Sequence, residues 1–230
     1  MDGDADIASV AALIGDRARA RVLRALGDGR ALPASVLAAE AGVAASTASE
    51  HLARLVAGGL VRVEPRGRHR YYRLAGPDVG AVLEALARVA PAEPVRSLRA
   101  GSRAAALRYA RSCYDHLAGR VGVAVMAALL RAGALTGDGS PGEAYELTVS
   151  GRALLADLGV GVPRGSRPAV RHCVDWSEQR HHLAGSLGAA LLARMIELAW
   201  LERAERGRAL TLTDRGAREL EVRLGVELPA

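Results

Sequence analysis

The sequence predicts a mainly α protein with small β-hairpins, of the α+β class, divided into two domains. Three observations predict it. Apolar residues recur at helical spacing through most of the chain, two short segments before residue 75 alternate like the strands of a hairpin, and the C-terminal half contains an internal repeat. A chain of 230 residues, 50% of them hydrophobic, can bury a core in each of two domains.

The first domain is expected at residues 1–90 and opens with four helices. Apolar periodicity predicts helices over about Ile7–Ile14, Asp16–Leu26 and Pro33–Glu40, with Asp16 as an N-cap. Gly42 turns the chain, and a fourth helix begins near Ser46 and ends at Gly58-Gly59. Residues 60–63 and 70–74 then alternate like paired strands, with residues 64–69 as the connecting turn. This order predicts a winged helix-turn-helix.

The fourth helix and the hairpin have the side chains that DNA recognition needs. Small polar residues at the start of a helix allow it to enter the major groove, and a basic hairpin can contact phosphates or the minor groove. Between Arg62 and Arg73 the hairpin has five Arg against one Glu. The candidate DNA-binding residues are Ser46, Thr47, Ser49, Glu50, His51, Arg54, Arg66, Arg68, His69 and Arg70. The competing interpretation is a solvated basic hairpin beside an ordinary helical bundle.

Residues 7–90 resemble the ArsR family of bacterial winged-helix repressors. The resemblance lies in residues 16–26, residues 44–55, the segment Gly58-Gly59-Leu60-Val61, and the Arg-Gly-Arg hairpin that ends in Tyr71-Tyr72. It implies a homodimer that binds an inverted-repeat operator as a repressor and leaves it when a ligand binds or is released. The paired cysteines that many metal sensors of the family have before the recognition helix are absent from residues 35–41, which excludes metal sensing there.

Composition limits the other function classes. The net charge of +6 favours a polyanionic partner, but every basic side chain is Arg, so codon bias accounts for part of it. No apolar run is long enough for a membrane span, and the acidic N-terminus is unlike a signal peptide, so we expect a soluble cytoplasmic protein. No catalytic triad, phosphate loop or framed carboxylate pair is evident, so an enzyme is not expected. A protein-protein interaction or structural module is the alternative class.

The C-terminal half contains two copies of one unit. His116-Leu117-Ala118-Gly119 recurs as His182-Leu183-Ala184-Gly185, and a Leu-Thr-x-x-Gly segment recurs at residues 147–151 and 212–216. After a linker and connecting helix at 91–103, the sequence therefore predicts an effector and dimerisation domain at 104–230. It would contain two winged-helix-like repeats, about 113–160 and 173–227, that pack on one another.

The second domain concentrates the reactive side chains. Cys113 and His116, spaced i to i+3, are expected on one face of a helix, and Cys173 and His182 can complete a four-ligand set. This set suits zinc, while Cys with His also suits haem, and a thiol redox pair or a small organic effector stays open. Against a metal site, the spacing from Cys to the repeated His differs between the copies, and a Cys can be a small core residue.

Two further features have local interpretations. Asp175 and Glu178 have the spacing of a capping box at a helix start. Arginines at positions 96, 99, 103, 108 and 111 are interpreted as a solvated helix face, with an extension of the DNA-binding surface or a site for an anionic effector as the alternatives.

Overall fold

The computed structural model describes residues 3–91, 93–95, 97–140, 143–205 and 207–228. It divides into two compact units, the first ending at Leu83 and the second beginning at Glu84. The predicted α+β class, with a winged helix-turn-helix followed by two similar repeats, is confirmed. No helix in the described ranges is long and apolar enough to span a bilayer.

The first unit has the element order of a winged helix-turn-helix. Its elements are α1 (Ile7–Ile14), α2 (Arg17–Ala25), β1 (Leu32–Pro33), α3 (Ala34–Ala41), α4 (Ala45–Ala57), β2 (Val61–Arg66), β3 (His69–Leu74) and the start of α5 (Pro77–Val89). The three strands form one antiparallel sheet in the order β1-β3-β2. The boundary between the two units falls within α5.

Local chemistry explains the helix-turn-helix. The Asp16 carboxylate accepts the Arg19 backbone N–H at 2.9 Å and begins α2. Gly42 adopts φ +71° at the end of α3, a left-handed conformation that favours glycine and turns the chain toward α4. On α4, the buried residues Ala48, Leu52 and Leu55 recur at helical spacing, which fixes the opposite face toward solvent.

The second unit contains the rest of the chain in short elements. After α6 (Leu98–Tyr109) come β4 (Arg111–Cys113), β5 (His116–Ala118), α7 (Gly119–Arg131), β6 (Leu135–Thr136), β7 (Glu146–Leu147) and α8 (Val149–Asp157). The second copy follows as β8 (Arg171–Val174), β9 (His181–Ala184), α9 (Gly185–Glu197), β10 (Leu201–Arg203), β11 (Leu210–Leu212) and α10 (Asp214–Leu224). Each copy is therefore hairpin, helix, hairpin, helix.

The repeated His-Leu-Ala-Gly segment is a strand-to-helix junction. Its glycines, Gly119 and Gly185, adopt φ +81° and +83° as each strand passes into its helix. A Cβ at Gly119 would lie 2.7 Å from the Arg108 carbonyl oxygen, and one at Gly185 would lie 2.5 Å from that of Ala169. Only glycine fits both the conformation and the space, which explains why the segment recurs.

The two copies interlock around one core. Helix α7 of the first copy packs against β9 of the second, α9 packs against β5, and β5 lies beside β9. Leu117, Val121, Leu183 and Leu187 belong to a single apolar cluster. The interlock buries two apolar helices against each other's hairpins, and it brings the two hairpins together.

Two expectations for this unit are wrong. Asp175 accepts the N–H groups of Ser177 and Glu178, but it does so in the turn between β8 and β9, where no helix follows. Arg111 is fully buried, although Arg99, Arg103 and Arg108 are exposed as expected. Arg96 lies outside the described residues.

Candidate nucleic-acid interface and metal centre

Helix α4 presents a polar face to solvent. Ser46, Ser49, Glu50 and Arg54 are exposed on it, whereas Thr47 is half-buried. The Ser49 hydroxyl donates to the Ala45 carbonyl oxygen at 2.9 Å, so it is held close to the helix backbone. The exposed residues supply donors and acceptors over the first two and a half turns of the helix, where a recognition helix contacts base edges.

His51 lies partly inside the first unit. Its Nε2 is 3.9 Å from the carboxylate of Asp16, the N-cap of α2, and its side chain is 15% exposed. The pKa of Asp16 is lowered, chiefly by the Arg19 backbone hydrogen bond and further by Arg19 and His51. His51 therefore connects α4 to the start of α2, and its predicted contact with DNA stays a prediction.

The hairpin forms a basic wing in which one acidic residue, Glu64, lies close to three arginines. Glu64 lies 2.9 Å from Arg73, 3.7 Å from Arg62 and 3.6 Å from Arg66. The Arg73 hydrogen bond and the surrounding arginines lower the pKa of Glu64. Arg66, Arg68, His69 and Arg70 are all exposed, and Arg68 follows Gly67 at the tip, where the backbone has φ +59°. The tip is the wing's most basic exposed part.

In the second unit, Cys113, His116, Cys173 and His182 come together. One ligand atom from each lies within 4.8 Å of all the others. The expectation that Cys113 and His116 share a helix face is wrong, because they are paired across the two strands β4 and β5. Cys173 and His182 are paired in the same way across β8 and β9.

The strand register shows that the cysteines are equivalent in the two copies. Each lies opposite its His in a hairpin, but the first hairpin has a short turn of Tyr114 and Asp115, while the second turn runs through residues 175–180 and lengthens the strands by one residue pair. Counting along the sequence hides the equivalence because of this longer turn. The four side chains are two thiols and two imidazoles, one of each from either hairpin.

The set is largely shielded from water. Cys113, His116 and His182 are buried, and Cys173 is half-buried. Within the described part of the chain, neither the Nε2 of His116 nor that of His182 has a hydrogen-bond partner. Buried imidazole nitrogens normally have one, so two such nitrogens on histidines of a Cys/His cluster fit the donor set of a metal ion.

The electrostatics favour one thiolate in the cluster. The pKa of Cys173 is lowered to about 2, chiefly by the hydrogen bond with Cys113 and also by the two imidazoles. The pKa of Cys113 is raised by its hydrogen bond with Cys173 and by burial. Burial lowers the pKa of His116, but Asp115 and Cys173 outweigh burial and leave it raised. Thiolate and neutral imidazole are the forms that ligate metals.

Comparison with known proteins identifies the family. A family model described as a helix-turn-helix domain matches residues 14–64, which covers α2 to β2. The chain is 41% identical over 226 residues to YdfF of Bacillus subtilis strain 168, described as an uncharacterized HTH-type transcriptional regulator, and the match covers 97% of this chain and 99% of YdfF. The chain belongs to the HTH-type transcriptional regulators.

Solved structures resemble the N-terminal part of this regulator. One is the homodimeric winged helix-turn-helix domain Mb0332 of Mycobacterium bovis, a possible ArsR-family regulator, with 32% identity over 39% of this chain and 88% of that domain and a TM-score of 0.33. Another is the cadmium metal-sensor CMTR of Mycobacterium tuberculosis, with 33% identity over 40% of this chain and all of that one and a TM-score of 0.32.

A carboxylate stands beside each imidazole of the regulator's metal candidate. Asp115 Oδ1 is 3.3 Å from His116 Nδ1, and Asp175 Oδ2 is 3.7 Å from His182 Nδ1. Carboxylates commonly orient metal-ligating histidines from this side and leave Nε2 for the metal. The sequence predicted neither carboxylate beside an imidazole, although Asp115 directly precedes His116.

Asp175 also belongs to a buried charge network of the regulator. It accepts from Arg111 at 2.9 Å, and Arg111 lies 3.4 Å from Glu84, which also pairs with Arg208. Arg111 stacks over the Trp176 ring at 4.7 Å. Burial raises the pKa of Asp175, but Arg111 and hydrogen bonds from Ser177 and Gly119 outweigh burial and lower it to about 2. No sequence signal joins these residues, which are far apart in the chain.

A second aromatic and imidazole group lies beside the metal candidate. The Tyr145 hydroxyl is 2.8 Å from His181 Nδ1, and it donates to the Asp138 carbonyl oxygen at 2.7 Å. The His172 and His181 rings lie 4.2 Å apart. These histidines alternate with Cys173 and His182 along β8 and β9, so they belong to the opposite face of the hairpin.

Proposed function

We propose that this regulator is a cytoplasmic repressor that binds an inverted-repeat operator as a homodimer. The observation that carries the proposal is the exposed polar face of α4 together with the basic tip of the wing. A recognition helix in the major groove and a wing on the backbone account for both features. A solvated hairpin alone would not explain why the exposed face of α4 begins with small polar residues.

The proposed homodimer is supported by exposed apolar residues on two helices. Val82, Leu86 and Val89 of α5 are 45%, 43% and 79% exposed, and their spacing puts them along one side of the helix. No residue of α1 is buried within the chain, although Ile7 and Val10 are apolar. A second copy of the chain would cover such surfaces, and two recognition helices one turn of DNA apart would then read an inverted repeat.

We further propose that the second unit holds the receptor for the signal, and that the signal is a metal ion bound by Cys113, His116, Cys173 and His182. The donor set of two thiols and two imidazoles is that of a tetrahedral zinc site. Donor atoms in such a site lie about 3.3 to 3.8 Å apart, so atoms already within 4.8 Å need only a small contraction.

The alternatives fit the cluster less well. Haem needs an apolar slot between or beside its axial ligands, whereas these four donors converge on one another. A disulfide between Cys113 and Cys173 would use both thiols but leave the buried Nε2 atoms of both histidines without a role. A small organic effector would leave them equally unexplained.

Operator binding is tested with the purified full-length chain and a labelled duplex from upstream of its own gene. We expect nanomolar binding that competitor DNA of scrambled sequence does not displace, and a linear fall of log affinity with log salt concentration. Sedimentation of the complex should show two chains per duplex. Binding that is equal for the operator and scrambled DNA would contradict a specific repressor and would favour the interaction-module alternative.

A further inference from the structure

The two carboxylates beside the candidate ligands sit in different surroundings. Asp115 is 30% exposed and forms an ion pair with Arg167, with a hydrogen bond of 3.0 Å. Asp175 is fully buried and accepts from Arg111 at 2.9 Å and from the Gly119 N–H at 2.7 Å. The two halves of the site therefore have the same ligands, but the carboxylates beside those ligands have different partners and different exposure.

The network behind Asp175 reaches α5. Glu84 of α5 lies 3.4 Å from Arg111 and pairs with Arg208, so the order of groups is His182, Asp175, Arg111, Glu84 and Arg208. Helix α5 supplies Glu84 to the second unit and residues 77–83 to the first. The side chains of Arg111 and Asp175 are fully buried, and only 4% of that of Glu84 is exposed, so water screens their interactions weakly.

A metal ion on His182 would add a hydrogen-bond donor at Asp175. Ligation through Nε2 fixes the proton of His182 on Nδ1, which then points its N–H toward Asp175 Oδ2. The present 3.7 Å is too long for a hydrogen bond, so bond formation requires the two groups to move closer. The same oxygen already accepts from Arg111 and Gly119, and a third donor at that atom competes with Arg111.

We propose that Asp175 is the positioning residue that transmits metal occupancy at His182 to Glu84 on α5. This inference rests on the proposed metal site and concerns its regulation. When His182 donates a hydrogen bond to Asp175 Oδ2, the bond from Arg111 to that oxygen weakens. Arg111 then interacts more strongly with Glu84, and this changes the environment of α5. Asp115 orients His116 in the same way, but its side-chain contacts are with His116 and Arg167, neither of which belongs to α5.

The experiment compares Asp175→Asn with its matched control, Asp115→Asn. Each removes one orienting carboxylate and keeps all four ligands, so each should weaken zinc binding by about 10- to 100-fold in a chelator competition. Hydrogen exchange of peptides over residues 84–89 and operator affinity are then measured twice for each variant, once without metal and once at a zinc concentration that saturates that variant. In the wild type and Asp115→Asn we expect zinc to alter α5 exchange and to change operator affinity by about 5- to 150-fold. In Asp175→Asn both responses should be lost.

Glu84→Gln keeps the proposal testable if Asp175→Asn does not fold. It keeps all four ligands and both neighbouring carboxylates. Because the Glu84 charge also raises the pKa of Cys113, its removal should leave zinc binding intact or slightly stronger, while the response of operator affinity falls. A metal response in Glu84→Gln or Asp175→Asn equal to that of the wild type would overturn the relay, and so would its equal loss in Asp115→Asn. If the wild-type chain binds no zinc, the metal site of the proposed function itself is wrong, which is a different outcome.

Discussion

Cys113 and Cys173 occupy equivalent places in two hairpins, each directly across from a histidine of the paired strand. The interlock of the two repeats brings these pairs together from residues 60 positions apart in the chain. A duplicated hairpin that supplies one thiol and one imidazole makes half of a tetrahedral site, and two copies complete it. The internal repeat therefore explains why the candidate ligands are two Cys-His pairs.

His182→Ala should abolish stoichiometric zinc binding, whereas His181→Ala should not. The two residues are neighbours on β9, but His182 belongs to the candidate site and His181 contacts Tyr145. Removing one of four ligands leaves an incomplete coordination shell. Zinc content is measured by atomic emission after gel filtration, and equal content in the two variants would contradict the assignment of ligands.

Zinc should stabilise the second unit. A ligand that binds the native state adds stability of about 2.7 kcal/mol when its free concentration is 100 times the dissociation constant. The midpoint of thermal unfolding should therefore rise with zinc in the wild type and stay unchanged in a Cys113→Ser, Cys173→Ser double variant. If zinc raised the midpoint of the double variant by the same amount, the stabilising zinc would be bound at a site other than the two cysteines.

Arg68→Ala should weaken binding to every DNA sequence and reduce the salt slope by about one. Arg68 is exposed at the wing tip, where a phosphate contact neutralises one backbone charge. Arg223→Ala is the control, because Arg223 pairs with Glu219 on α10 in the other unit. Fluorescence anisotropy over a salt series provides the slopes, and an unchanged slope in Arg68→Ala would exclude the tip from the phosphate contacts.

Arg54→Ala on the exposed face of α4 should cost about 1 to 3 kcal/mol of operator binding, with little change on scrambled DNA. Ser49→Ala should have a smaller effect, since its hydroxyl already donates to the Ala45 carbonyl oxygen. For His51→Ala we expect weaker specific binding as well, through its place between α4 and Asp16. Equal losses on the operator and on scrambled DNA would show that α4 contacts only the backbone.

Gly185→Ala should lower the free energy of unfolding by about 1 to 3 kcal/mol. Its φ of +83° disfavours any other residue, and a Cβ would lie 2.5 Å from the Ala169 carbonyl oxygen. Gly161→Ala is the control, because a Cβ there meets nothing within 4 Å. Urea unfolding followed by circular dichroism measures the difference, and two equally stable variants would contradict the role of the strand-to-helix junction.

Much of the fold was predictable because its signals are local. Apolar periodicity placed α1 over Ile7–Ile14 as observed, and the alternating segments placed the wing. The repeated segment predicted two copies packed together. The four candidate ligands were predicted from residue type, spacing and the repeated His, but their secondary structure was predicted wrongly, because an i to i+3 spacing fits a tight hairpin as well as a helix.

The rest depends on contacts between distant residues. Arg111 pairs with Glu84, 27 positions before it, and with Asp175, 64 positions after it, and its neighbours on α6 are exposed arginines. Nothing in the local pattern separates the buried Arg111 from the exposed Arg99, Arg103 and Arg108. The equivalence of Cys113 and Cys173 was hidden by the longer turn of the second hairpin, and only strand register reveals it.

The most direct test of the metal-responsive account is cobalt substitution of the full-length chain under reducing conditions. We expect one cobalt ion per chain, with the visible bands of a tetrahedral site and thiolate charge-transfer absorption, displaced by stoichiometric zinc and accompanied by a change in operator affinity. A chain that stays colourless with excess cobalt and binds its operator identically with and without metal would contradict the account.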